Sequence, residues 1–129
     1  MPSFKTEIKQ ALVYYKIWKK QKSYCPALKS YVLVTNSGWN HLVGNKGYKQ
    51  RILADKYRRL KLLPYAKQII ENSHTIQDIR TINGRVYYSL DAVIPVDQGG
   101  IKHLRKVRVV IHEDKKGNKI FFSVMDKKS

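Results

Sequence analysis

The sequence predicts an α+β fold in which N-terminal helices pack on one face of a C-terminal antiparallel β-sheet. Three observations predict it. Apolar residues recur at helical spacing over residues 4–21 and again between 49 and 72. Strict alternation replaces that period in RVYYSLDAVI at 85–94. Two further apolar-rich runs, Val107 to Glu113 and Lys119 to Met125, flank DKKGN, the signature of a hairpin.

The 129 residues read as a single domain, with a basic amphipathic helix over 1–22 and an α+β core over 31–129. Hydrophobic residues make up 43% of the chain, which excludes a disordered basic tail. The longest apolar runs are only a few residues, too short for a transmembrane helix. MPSFKTEIKQ is charged and no apolar stretch follows it, so no signal peptide is expected. Cys25 is the single cysteine and cannot form an internal disulfide. A buried free thiol in a reducing, cytoplasmic compartment is the expectation.

In the first helix Ile8, Leu12, Tyr15 and Trp18 share a face with Ala11 and Tyr14, and lysines cover the other side. QKSYCPALKS reads as a break containing Pro26, and YVLVT at 31–35 as a short strand. Asn36 and Ser37 offer caps for a short helix holding Trp39 and His41, stopped by Gly44. Trp39 reads as a core anchor. Residues 49–61 form a helix with Ile52, Leu53, Tyr57 and Leu60 inward, and Pro64 opens another that runs to about Asn72. PVDQGG reads as a loop between strands.

The hairpin can be phased. A four-residue loop over Asp114 to Gly117 pairs Glu113 with Asn118. Val107, Val109 and Ile111 then share the core face with Ile120, Phe122 and Val124, and Arg108 lies across from Ser123 on the other. His112 shares that second face near the turn and reads as a surface residue; His74 and His103 read as loop residues.

Charge bears most directly on partners. Twenty-six Lys and Arg oppose nine Asp and Glu, a formal net charge of +17. A folded chain bears self-repulsion for such an imbalance, so a polyanionic partner is expected, nucleic acid first. An anionic membrane surface and an acidic protein are the alternatives. The carboxylates are scattered and do not suit a two-metal site, and the histidines lack zinc-ligand spacing, so neither metal nor cofactor is expected. GNKG at 44–47 lacks the ending of a phosphate-binding loop, and no GxSxG occurs. RNA cleavage through attack by the ribose 2′-hydroxyl stays compatible, because His, Arg, Lys, Ser and Tyr supply its acid, base and phosphate contacts. His41 has two readings at this point: a group in that chemistry, or a half-exposed polar residue near a helix start.

The order YVLVT, GWNHL, RRLKLLPYAKQIIENS, YYSL, VRVVI and FFSVM resembles the barnase–EndoU–colicin–RelE-like superfamily of metal-independent RNases, especially its phage-associated and polymorphic-toxin branches. The resemblance covers about three quarters of the chain, from Tyr31 onward. It implies helices on an antiparallel sheet and a small toxin-type endoribonuclease, acting on RNA such as tRNA, with an acidic immunity or antitoxin protein as partner. It implies that His41 exchanges a proton, that Arg51 contacts the scissile phosphate, and that Ser123 in FFSV orients it. Arg108 joins that set through the hairpin phase, and Lys46, Arg58, Arg59, Arg85 and Tyr87 are candidate RNA contacts. Some relatives carry a second histidine where this chain has NKGYKQR, a position that Lys46 or Arg51 would fill. The alternative is a non-catalytic nucleic-acid-binding or phage accessory protein with the same fold.

Overall fold

Trp18 and Phe121 meet with ring centroids 5.0 Å apart, and through them the two ends of the chain share one core. The computed structural model describes residues 4–36, 39, 58–98 and 100–127. Their elements are α1 (Phe4–Lys19), β1 (Ser23–Cys25), β2 (Ser30–Leu33), α2 (Leu63–Asn72), β3 (Asp78–Ile82), β4 (Arg85–Gln98), β5 (Ile101–Glu113) and β6 (Lys119–Lys127). The six strands form one sheet in the order β1-β2-β6-β5-β4-β3. Every pair is antiparallel except β2 with β6, which run parallel through Val32↔Lys119 and Leu33↔Ile120. The expected α+β class is therefore observed. Among the described residues, no helix is long and apolar enough to cross a membrane.

The helices α1 and α2 form where the apolar period predicted them; the expected helix around His41 and the 49–57 part of the next lie outside the described residues. On α1, Tyr15 and Trp18 are buried, Ile8, Ala11 and Tyr14 pack beside them, and Lys9, Lys16 and Lys19 face outward. Two lysines in its last turn, Lys16 and Lys19, complement the negative end of the helix dipole. Trp18 Nε1 donates to Ser23 Oγ at 3.0 Å inside the core, and Tyr15 Oη donates to the Thr35 carbonyl at 2.6 Å. The basic N-terminal helix is thus built into the same core as the sheet. On α2, Pro64 sits in the first turn and Leu63, Ala66, Ile69 and Ile70 are buried. The Ser73 N–H closes the helix on Ile69, and the Ser73 carbonyl accepts from Ala27 at 2.9 Å, tying α2 to the β1–β2 turn.

Three expectations about the strands need correction. The segment read as a break contains β1, paired through Ser23↔Val32 to Cys25↔Ser30. A three-residue strand holds too few positions to display a period, and its turn relies on Lys29 at φ 51°, which no composition signal marks. Secondly, PVDQ is strand and not loop. β4 runs to Gln98, β5 starts at Ile101, and Gly100 at φ 83° takes part in the tight turn between them. Pro95 is tolerated there because β3 pairs with β4 only as far as Ser89. His103 accordingly lies in β5, exposed, and not in a loop.

The third correction concerns the hairpin phase. Glu113 pairs with Lys119, so the loop is one residue longer than expected. The Asp114 carboxylate holds that loop by accepting from the backbone N–H of Lys116 and Asn118, both at 2.9 Å, and Gly117 takes φ 87°. One added residue would turn the apolar set of β6 outward. A bulge between Val110 and Ile111 inserts a second: Ile111 faces Phe121 and Val110 faces Ser123. Phe121 and Val124 are consequently buried in the core, Phe122 leaves it, and Arg108 pairs with Met125 in place of Ser123. Val107, Val109 and Ile111 are fully buried as the alternation predicted.

The observed register makes a measurable distinction between adjacent phenylalanines. Phe121→Ala is expected to cost about 3–5 kcal/mol in urea unfolding, and Phe122→Ala less than about 2 kcal/mol.

Candidate nucleic-acid face

The face of the sheet away from the core helices gathers most of the chemistry-bearing side chains. Alternation along β4 places Tyr87, Ser89 and Asp91 on it, β5 adds Arg108, Val110 and His112, and β3 adds Arg80 and Ile82 through Arg80↔Tyr87 and Ile82↔Arg85. The register shift at the longer loop sends Phe122 to the same side. Tyr87, His112 and Phe122 form an aromatic group there, with centroids 5.3 Å apart for Tyr87–Phe122, 5.5 Å for His112–Phe122 and 6.1 Å for Tyr87–His112. A cleft of about 360 Å³ opens beside it, lined by Arg80, Ile82, Tyr87, Ser89, Arg108, Val110, Phe122 and Met125.

Arg108 is held rigidly in this cleft. Its Nε and Nη2 donate to the two carboxylate oxygens of Asp91 at 2.6 and 2.9 Å. Asp91 is nearly buried, and Lys106 approaches the same carboxylate at 3.9 Å. The fork-to-fork geometry favours the ionised pair and raises the Arg108 pKa further. Arg80 makes a comparable but exposed pair with Asp78 at 2.7 Å.

His112 is 7% exposed, where a surface residue was expected, because β4 and β6 flank it with Tyr87 and Phe122. Its Nδ1 is buried with no hydrogen-bond partner among the described residues. Burial lowers its pKa and the charge of Arg85 lowers it again, with Asp114 opposing. A buried neutral imidazole is the result.

A second cluster lies along β6. Arg59, in the helical residues 58–61, donates from Nη1 to Ser123 Oγ at 2.8 Å and to the Val124 carbonyl at 3.4 Å. Ser123 is 1% exposed. The neighbouring Arg58 lies 3.7 Å from the Asp126 carboxylate. Trp39, partly buried, packs on Tyr15 at 5.4 Å, and Tyr15 on Phe121 at 6.4 Å.

The structure therefore joins Ser123 with Arg59 at one place and Arg108 with Tyr87 at another. Arg85 is exposed at the start of β4. His41, Lys46 and Arg51 lie outside the described residues. Sequence reasoning missed Asp91 as the partner of Arg108 and Phe122 as a surface ring. The first follows from the β4–β5 register Asp91↔Arg108, which the alternation in RVYYSLDAVI could have supplied had the second strand been phased against it. The second had no sequence signal, since the one-residue longer loop shifts the register of β6 and moves it. Among the described residues, no three His, Cys, Asp or Glu side chains cluster as a metal-ligand set. Cys25 is fully buried and burial raises its thiol pKa, so it is an inert core residue as expected.

Two measurements test these electrostatics. Asp91→Ala strands a largely buried guanidinium and is expected to cost about 3 kcal/mol, whereas Asp78→Ala costs under about 1 kcal/mol. The second is pH dependence. The His112 pKa is lower in the folded chain than its usual 6.5, so the unfolded chain takes up this proton first as pH falls. Stability declines below about pH 6.5 and levels off once folded His112 protonates as well. Glu113, lowered chiefly by its bond from Lys119, and Asp114, lowered chiefly by the Asn118 backbone, add a separate loss at more acid pH. His112→Phe should flatten the melting-temperature curve between about pH 7.5 and 5 and leave the acid limb in place.

No family model, curated protein or solved structure matches this chain.

Proposed function

We propose that this protein is a small metal-independent endoribonuclease of the barnase–EndoU–colicin–RelE-like type. The observation that carries the reading is the 2.8 Å bond from Arg59 to Ser123, residues 64 positions apart in sequence. A guanidinium and a hydroxyl held together are a pair suited to a phosphate: two kinds of hydrogen-bond donor aimed from fixed elements. His41 follows Trp39 by two residues, and Trp39 is anchored on Tyr15, itself against Phe121, two residues before Ser123.

In this reading the ribose 2′-oxygen attacks the adjacent phosphorus as His41 exchanges its proton. The 5′-oxygen of the next nucleotide leaves, and the products carry a 2′,3′-cyclic phosphate and a 5′-hydroxyl. Arg51 and the partly buried Arg59 stabilise the extra charge on the phosphorane, and the buried Ser123 hydroxyl orients Arg59. The formal charge of +17 draws RNA to the surface and makes affinity fall with salt. A toxic enzyme of this charge would require an acidic inhibitor protein that covers the basic face.

The second reading is a nucleic-acid-binding protein without cleavage. It is favoured by the Asp91–Arg108 pair, which commits one expected site arginine to a carboxylate. Total RNA incubated in EDTA with the wild type and with His41→Ala and Ser123→Ala separates the two. Cleavage leaving cyclic phosphate ends, reduced about 100-fold in each variant, is the outcome expected. Salt-sensitive binding without cleavage would establish the second reading, and absence of RNA affinity at low salt would overturn both.

A further inference from the structure

The cleft on the open sheet face differs from the Arg59–Ser123 pair in the ligand chemistry it offers. Ile82, Val110, Met125 and Phe122 give it an apolar floor, and Tyr87 a half-buried ring. Its two arginines are each balanced by a carboxylate, Arg80 by Asp78 and Arg108 by Asp91. Locally balanced charge makes a poor seat for a phosphate and a good one for a neutral, flat, polar-edged ring. Further cations stand at the margin, Lys106 sharing the Asp91 carboxylate with Arg108 and Arg85 at the start of β4, both exposed. An apolar centre with cationic margins fits a single strand whose base turns inward while its phosphates stay outside.

The volume agrees. About 360 Å³ lies at the small end of ligand pockets, enough for one base and its edge contacts. Tyr87 is braced in place by Phe122, T-shaped at 5.3 Å, and by His112 behind it. A pre-positioned ring loses little freedom when a base stacks on it.

The polar groups also discriminate. Guanidinium N–H groups donate only, and Arg108 takes both oxygens of Asp91 while Arg80 takes one of Asp78. A base that presents carbonyl acceptors, guanine or uracil, satisfies those donors. Adenine presents an exocyclic amino donor in the corresponding place.

Building on the RNA reading above, we propose that the cleft of Arg80, Tyr87, Ser89, Arg108 and Phe122 is a nucleobase subsite for single-stranded RNA, selecting carbonyl-bearing bases over adenine. It sets where along a strand the protein seats itself and leaves the reacting phosphate to other residues.

Fluorescence anisotropy with 2′-O-methyl oligonucleotides tests it, because blocking the 2′-oxygen removes cleavage and leaves binding. Octamers of uridine and of adenosine are titrated at several salt concentrations in EDTA. Uridine is expected to bind about tenfold more tightly, and Tyr87→Ala to lose about tenfold for uridine with an unchanged salt slope. Tyr87→Phe, which keeps the ring, should restore binding, and Lys106→Ala should reduce the salt slope. Salt-sensitive binding that is equal for the two octamers and indifferent to Tyr87→Ala overturns the subsite and leaves the RNA reading standing. No binding of either octamer at low salt overturns both. A glutamate-rich peptide bound through Tyr87 in place of either octamer would overturn the subsite in favour of an acidic protein partner.

Discussion

The extra residue that β6 inserts opposite Val110 governs the arrangement of both sheet faces. Side chains on a strand alternate strictly, so one inserted position sends everything beyond it to the other face. Before the bulge, Phe121 points into the core, where it meets Trp18 and Tyr15. After it, Val124 returns to the core opposite Val109. Phe122, between them, is left to the open face and becomes the ring against which Tyr87 leans. The longer Asp114–Asn118 loop and the bulge are two one-residue changes that compensate each other. Together they keep Val124 in the core, exchange Phe122 for Phe121 there, and create an aromatic group outside it.

Electrostatics divide the same molecule in another way. A chain with a formal charge of +17 nonetheless spends two of its nine acidic residues pinning arginines on one sheet face. Asp91 is the deeper of the two, and its bidentate bond to Arg108 turns a mobile cation into a fixed set of donors. Along β6 the guanidinium of Arg59 donates to a hydroxyl and a carbonyl, Ser123 Oγ and the Val124 carbonyl. The cleft thus offers fixed donors beside apolar walls, and the Arg59–Ser123 pair offers a guanidinium beside a hydroxyl.

The core explains why the basic N-terminal helix cannot be regarded as an appendage. Trp18 and Tyr15 are among the largest fully buried side chains, and both contact Phe121 at the other end of the chain. Lysines on the outer face of α1 add to the charge, while its inner face closes the core over β6. Removing α1 would uncover the strand that carries Ser123.

By itself the sequence determined the features that local physics controls: the helical period of α1 and α2, Pro64 in a first turn, the burial of Val107, Val109 and Ile111, and the basic surface. Each depends on residues within a few positions of one another, so a period or a turn residue records it. The alternation in RVYYSLDAVI likewise marked Tyr87 and Arg85 as outward before any partner strand was known. Only the tertiary structure decided which strands pair and in what register. β1 and β2 joined the sheet through contacts far apart in sequence, Asp91 met Arg108, and Arg59 met Ser123 across 64 positions. Such pairings are selected by the packing of the whole core, and a single inserted residue in β6 changes them without changing the local pattern on either side. That is why the buried valines could be read directly, and the place of Phe122 could not.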